Sequence, residues 1–355
     1  MSHTPMTRKP NLVGMSRKEL AAALEAIDER PFRTEQVYHW LNRRLVAGFT
    51  QMCNLPKTLR QALGESFEVT DPEIVEVVRD SDGTAKLGLA YGDGTVVEAV
   101  LMAMEGHTTI CLSVQTGCAV GCVFCVTGSL GAGRNLSAGE IHGQYRAIVR
   151  HAGLVGTPLN VVFMGMGEPL LNLTGLVPAL DLMGETVSPK RVTVSTSGIV
   201  PGLEALALLG RRPNLAVSLN ATTQAQRQRL MPGAARWSLD ELMGALRRYP
   251  LERGRRITIE YVLIASENDS LEDATRLVRL LRDLPCKVNL SPLNPDLERL
   301  PGLLPPGDAR INEFAATLAA AQLNVTVRWS KGQGIAAACG QLRGRLLEAS
   351  ARHLA

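Results

Sequence analysis

The apolar positions change rhythm along the chain, and each rhythm predicts a different kind of element. From Ser16 to about residue 67 they recur at helical spacing. SRKELAAALEAI opens on a Ser16/Glu19 capping box, TEQVYHWLNRRLVAG carries a Val37, Trp40, Leu41 and Leu45 stripe behind Thr34 as its cap, and LPKTLRQALGESF spans a third helix. From 72 to 103 the runs EIVEVVRD, TAKLGLAY and GTVVEAVLMA are β-rich and separated by SDG and GDG turns, which predicts an antiparallel meander. From Thr109 onward strands alternate with helical or loop segments. The strands are TICLS, LNVVFMG, RVTVST, NLAVSL, RITIEYVL, KVNLSP and NVTVRW, and SAGEIHGQYRAIVRHAG and SLEDATRLVRLLRDL are typical of the helices. Continuous apolar strands of this kind lie buried in a parallel sheet. The expected fold is therefore α/β, an open or partial (β/α) barrel with its chemistry on loops at the C-terminal ends of the strands. The predicted division is a helical accessory domain over 1–68, an antiparallel β extension over 69–103, the barrel over 104–345 and a tail over 346–355.

Composition narrows the class. A chain of 355 residues with 45% apolar residues and a formal charge of +4 suits one large globular domain with a small accessory one, and excludes disordered, collagen-like and mucin-like chains. No stretch reaches the roughly 18 apolar residues of a membrane span, and MSHTPMTRKP has no apolar run of a signal peptide, so the expected location is the cytoplasm. The charge is uneven: residues 1–60 hold ten basic side chains against five acids, which leaves the rest of the chain at −1. Such a basic helical module either neutralises a nucleic-acid backbone, releasing its counterions, or is a solvated surface.

Seven cysteines in a cytosolic chain of this length point to metal or thiol chemistry rather than to a disulfide framework. QTGCAVGCVFCVTG places Cys118, Cys122 and Cys125 in a C-x3-C-x2-C spacing, so three thiolates can converge on a metal centre or a cluster. A structural zinc site needs a fourth ligand, and His107 and His142 lie outside the motif. A four-iron cluster on three thiolates keeps one iron open. The spacing, with Phe124 before the last Cys, resembles the radical S-adenosylmethionine (SAM) superfamily, in which the open iron chelates the amino and carboxylate groups of SAM. NVVFMGMGEPLLN supports this: Gly165 and Gly167 permit close backbone approach, and Glu168 matches the superfamily's contact to the SAM amino group. Later strand ends offer Ser195, then Ser218, Leu219 and Asn220, then Asn294. Each polar residue alone is an ordinary turn or cap; their shared position after successive strands marks a ligand face.

Cys111 in TTICLSVQTGC and Cys339 in GIAAACGQLRG extend the likeness. With FRTEQVYHWL, NLPKTLRQAL, VVEAVLM, FMGMGEPLLN, RVTVSTSGIVP, LAVSLNA, RLMPG and NLSPLNP, nearly the whole chain resembles the RlmN family of dual-specificity RNA methyltransferases. That resemblance implies methylation of adenine C2 in 23S ribosomal RNA and in the anticodon loop of tRNA, with a [4Fe-4S] cluster and two SAM per turnover. Adenine C2 has no lone pair to attack a sulfonium methyl, so a radical route is needed. The family implies that the Cys339 thiolate takes a methyl from one SAM, and that a 5′-deoxyadenosyl radical from the second removes hydrogen from the methylthio group. The resulting carbon adds to C2; Cys111 removes the C2 proton and closes a transient disulfide with Cys339. Glu98 in VVEAV matches an acidic position assigned as proton acceptor, in competition with Cys111, or is an exposed strand carboxylate. Cys53 and Cys286 match no thiol role and are expected core fillers.

The chain departs from the family at Asn220, where His is frequent, at Lys331, where Arg is common, and at Gly334, where an acid is common; the last two bear on the positioning of the Cys339 loop. The resemblance further implies a flavodoxin-type electron donor, no membrane partner and a monomer. Two other readings stand beside it. One is C8 methylation of adenine, as in chloramphenicol–florfenicol resistance methyltransferases. The other is a zinc-stabilised RNA-binding protein without catalysis, which leaves Cys111 and Cys339 unexplained.

Overall fold

The computed structural model describes residues 9–346. Ser16 accepts from the Glu19 N–H while Glu19 reaches back to the Ser16 N–H, and this reciprocal cap starts α1 (Arg17–Glu25) where the sequence places it. The second helix differs. α2 (Arg33–Asn42) begins before Thr34, which is buried inside the first turn, while Phe32 at the N-cap makes no side-chain hydrogen bond. It also ends at Asn42; Leu45 turns left-handed with φ +52° yet stays in the core. α3 (Lys57–Ser66) follows. Leu20, Leu24, Val37, Leu41, Met52, Leu59 and Leu63 gather in an apolar cluster of their own, joined from the barrel by Leu182.

β1 (Glu73–Arg79), β2 (Ala85–Ala90) and β3 (Thr95–Met104) form the expected meander, turning at Gly83 and Gly94 with φ +82° and +85°. β4 (His107–Cys111) pairs antiparallel with β3, setting Cys111 opposite Val100, and parallel with the next strand. The chain then runs through α4 (Val126–Ser129), α5 (Ala138–His151), β5 (Leu159–Phe163), α6 (Leu173–Met183), β6 (Val192–Thr196), α7 (Val200–Ala207) and β7 (Asn214–Ser218). It continues with α8 (Gln224–Leu230), α9 (Leu239–Arg248), β8 (Ile257–Leu263), α10 (Leu271–Leu281), β9 (Cys286–Pro292), α11 (Asp308–Ala320) and β10 (Val325–Val327).

Strands β4 to β10 are parallel and neighbour one another in chain order; among the described residues the path from β1 to β10 does not close, which makes a partial barrel. The β extension is thus the edge of the barrel's own sheet. The last strand, β11 (Arg345–Leu346), returns to pair with Val96 and Thr95 of β3; residues 347–355 of the expected tail lie outside the described residues.

Alternation along the parallel strands shows where the hollow is. Asn160 and Val162, Thr193 and Ser195, and Glu260 and Val262 are half-buried, whereas Val161, Phe163, Val194, Ile259 and Tyr261 between them are buried under the helices. One face of the sheet packs on helices and the other lines an accessible lumen. The helical unit docks through Arg146 of α5. Fully buried, this residue donates to the Leu41 and Val46 carbonyls and pairs with Asp71 at 2.7 Å. Among the described residues no helix is long and apolar enough to cross a membrane.

Candidate active site

The segment after β4 carries Cys118, Cys122 and Cys125 half-buried against Val120, Phe124, Leu230, Met231 and Leu293. Its backbone is pinned on several sides: Cys118 N–H donates to the Gly131 carbonyl, Val123 N–H to Leu230 and Gly233 N–H to Val120. Burial pushes the Cys118 thiol up to about 12, and lifts Cys122 and Cys125 above the ordinary value as well. Among the described residues no three His, Cys, Asp or Glu side chains converge on one metal-ion position. Three soft thiolates without a fourth ligand suit a cluster with an open iron better than a single zinc ion.

A second observation fits an anionic group beside this loop. Arg227 of α8 is fully buried and spends Nη2 on the Ser197 and Ala234 carbonyls, while Nε and Nη1 have no partner among the described residues. Burial lowers it to about 10, against the pull of Cys122 and Glu168 nearby. A buried guanidinium with two open donors is costly unless something negative completes it. Cys122 and Glu168 are the negative groups nearest to it, and an anionic ligand beside them would complete the two open donors.

The Gly-rich loop after β5 packs directly on this segment. Gly167 has φ +95°, and a Cβ there would stand 2.5 Å from the Gln115 side chain, so both conformation and space require glycine. Gln115 accepts from the Glu168 N–H at 2.8 Å and donates to Asn135. Glu168 is buried; Oε1 accepts from Leu170 N–H and Oε2 from Ser197 N–H. Burial raises its carboxyl above the ordinary value, opposed by those hydrogen bonds.

The strand ends divide. Ser195 and Ser218 are half-buried on the lumen face. Leu219 and Asn220 are buried: Leu219 N–H donates to the Glu260 carbonyl, and Asn220, left-handed at φ +52°, accepts from Val262 N–H and directs its amide at the Met231 sulfur. The Asn220 side chain, expected at the ligand face, is a brace between β7 and β8. Asn294 faces the C-terminal loop, donating to the Cys339 carbonyl at 3.2 Å and accepting from Gln333.

That loop crosses the barrel mouth. Val126 N–H at the start of α4 donates to the Gly340 carbonyl and the Thr127 hydroxyl to that of Leu342, so the cysteine motif and the Cys339 loop touch directly. Water reaches the Cys339 side chain, yet the surrounding wall raises its thiol pKa, with Glu260 acting in the same direction and Arg328 against. Cys111 points into the same space: burial, with Cys339 close by, pushes it up to about 12. Both are free thiols. Cys286 is buried as expected; Cys53 is exposed, so it is not core.

Glu98 is not an exposed strand carboxylate. It is buried, paired with Lys86 at 3.3 Å, and accepts from the Arg343 N–H at 2.7 Å. Sequence reading missed these long-range ties, and those of Ser113, whose hydroxyl links the Glu98 carbonyl to Met166 N–H. Gln115 and Ser113 lie within CLSVQTGC, but nothing local marks them as braces.

Two family models match parts of the chain. Residues 10–69 match the family described as the ribosomal RNA large subunit methyltransferase N-terminal domain, and residues 112–278 the radical SAM superfamily. The dual-specificity RNA methyltransferase RlmN of Anaeromyxobacter sp. (strain Fw109-5) is 46% identical over 94% of this chain and 90% of that protein. The protein of that name from Geobacter sulfurreducens is 43% identical over 95% of this chain and 92% of its own length. The crystal structure of a radical SAM methyltransferase from Sphaerobacter thermophilus superposes with a TM-score of 0.88 at 43% identity, covering 94% of this chain and 99% of that one.

Proposed function

The chain belongs to the RlmN family of radical SAM RNA methyltransferases, and from that premise we propose that it methylates C2 of adenine in 23S ribosomal RNA and in tRNA by way of Cys339. It is a SAM-dependent enzyme with a [4Fe-4S] cluster. One observation carries the route: the Cys339 loop, more than two hundred residues from the cysteine motif, packs on it, with Gly340 accepting from Val126 N–H and lying against Cys125, and with Cys111 near Cys339. A methyl carrier and a resolving thiol need that juxtaposition; a binding protein does not.

In this reading Cys118, Cys122 and Cys125 hold the cluster, while Gly167, Glu168, Ser195, Ser218, Asn294 and the Leu219–Asn220 backbone hold SAM. The bound cofactors supply a methyl group and a 5′-deoxyadenosyl radical that withdraws a hydrogen atom. Cys339 is the nucleophile that accepts the methyl, and its methylthio carbon is what reaches C2. Cys111, as thiolate, then takes the C2 proton while the adduct gives up one electron to the redox centre that would be bound there; the Cys111 sulfur next bonds to the Cys339 sulfur as the Cys339 S–CH2 bond breaks, and its proton passes to that carbon, which releases the methylated base. Both Glu98 oxygens are already engaged, so we assign it to holding the segment after Cys339 and leave proton removal to Cys111. A flavodoxin-type donor, a monomer and action in the cytoplasm complete the proposal.

The thiol roles separate in one experiment. With methyl-labelled SAM, Cys339→Ala keeps the cluster absorbance and takes up no protein-bound label, while Cys111→Ala leaves protein covalently attached to RNA. Label on the Cys339 variant, or free and fully methylated RNA from the Cys111 variant, contradicts the assignment.

A further inference from the structure

We propose that Asp80 and Asp82, at the tip of the β1–β2 hairpin, are positioning residues for the reaction: they hold the Gly332–Gly334 segment and so set where Cys339 sits over the barrel mouth. The inference rests on the reading of Cys339 as methyl carrier. Each carboxylate divides its oxygens in the same way. Asp80 Oδ1 accepts from the Ser81 N–H at 2.6 Å and Asp82 Oδ1 from the Thr84 N–H at 2.8 Å, which fixes the turn itself. The Oδ2 atoms face outward: Asp82 accepts from Gly332 N–H at 2.9 Å, and Asp80 from Gly334 N–H at 3.2 Å. Backbone N–H groups in a loop need partners, and a carboxylate is a strong one.

The surroundings make this contact specific to the loop's conformation. Gly332 is left-handed at φ +68°, and a Cβ on it would stand 2.8 Å from Ala337 and 3.0 Å from Thr84. Lys331 of the loop donates to the Ala103 carbonyl of β3 and Lys86 of β2 to the Ala336 carbonyl, so two lysines also tie the loop to the sheet edge. Beyond Cys339 the chain is held by Asn294, Thr127 and Glu98. Cys339 is suspended between two anchors, and the first depends on two aspartates that touch no reacting group.

The departure at Gly334 now has a physical reading. A Cβ there would stand 3.3 to 3.4 Å from the two Asp80 carboxylate oxygens. The acid common at this position in the family would face a like charge across that gap. In this chain the acid is on the hairpin and the loop offers a bare N–H to it.

The test is a charge-relief cycle in the cluster-loaded full-length enzyme, comparing wild type, G334D, D80N and D80N/G334D, with D82A as an independent variant. Amide hydrogen exchange over residues 332–340 reads the anchor without reference to activity; turnover of RNA reads its consequence. G334D and D82A are expected to exchange faster and to lose roughly 10- to 100-fold in kcat with KM for RNA little changed, the scale of a misplaced reacting group. D80N/G334D should return to the level of D80N, because an amide opposite the new carboxylate removes the repulsion. Wild-type exchange and turnover in G334D, or a double variant as impaired as G334D, overturns the proposal. A wild-type enzyme that never methylates Cys339 would sink the carrier reading instead, while the exchange arm still decides the anchor.

Discussion

His142 shows how a single side chain couples this fold to pH. It is fully buried in α5, and among the described residues neither ring nitrogen has a hydrogen-bond partner; its ring stacks on Tyr145 with centroids 5.9 Å apart. Burial, reinforced by the neighbouring Arg146 charge, holds it well below its ordinary value of 6.5. It therefore stays neutral when folded, whereas the unfolded chain takes up a proton below about 6.5. The stability it contributes is full above that pH and falls by about 1.4 kcal/mol per pH unit below it. Thermal melts of wild type and His142→Phe between pH 7.5 and 5.5 should show the variant losing that much less toward acid. Parallel pH profiles would contradict the assignment. At this scale the sequence was informative about chemistry and uninformative about commitment. The cysteine motif, Cys339, Cys111 and Glu168 were recognisable as residue types in their spacing. That Asn220 spends its amide on Val262 and Met231, or Glu98 its oxygens on Lys86 and Arg343, depends on partners that no local pattern encodes.

Elements were legible where one signal dominates. The Ser16 capping box is present as read, Ser137 and Ser270 cap the two helical segments read after them, and Ser238 caps α9, a helix the sequence reading did not include. Thr34 failed as a cap because Phe32 and Arg33 already have helical geometry, which places Thr34 in the buried first turn. The same helix refines the charge argument. Arg43 pairs with Glu185 at 2.9 Å, and Arg17 joins the same carboxylate at 2.7 Å, so part of the N-terminal basic excess is internal wiring. Arg44 is exposed and has no ion pair among the described residues. Arg44→Gln is expected to flatten the dependence of log affinity for RNA on log salt by about 0.7 to 0.9, the value of one phosphate contact, and Arg43→Gln by less. Binding isotherms across a salt series check this; equal slopes for both variants and wild type would assign the module to a solvated surface.

On the scale of the whole molecule, the parallel strands read from the sequence appear in the expected order, because buried parallel strands advertise themselves as apolar runs. The returning C-terminal loop does not. Its ties reach the hairpin across 250 residues and β3 across 245, and sequence periodicity reports neighbours three or four positions apart. Those ties join the antiparallel extension and the C-terminal loop into one site: the sheet edge holds the loop that carries Cys339. The function proposed for this site is methylation of adenine C2. It is tested most directly by incubating the anaerobically reconstituted enzyme with SAM, a reductant and unmodified ribosomal and transfer RNA, then digesting the RNA and comparing its nucleosides with authentic standards by mass spectrometry. The expected product is 2-methyladenosine; 8-methyladenosine, or RNA left without a methylated adenine by a cluster-loaded enzyme, would overturn the proposed function.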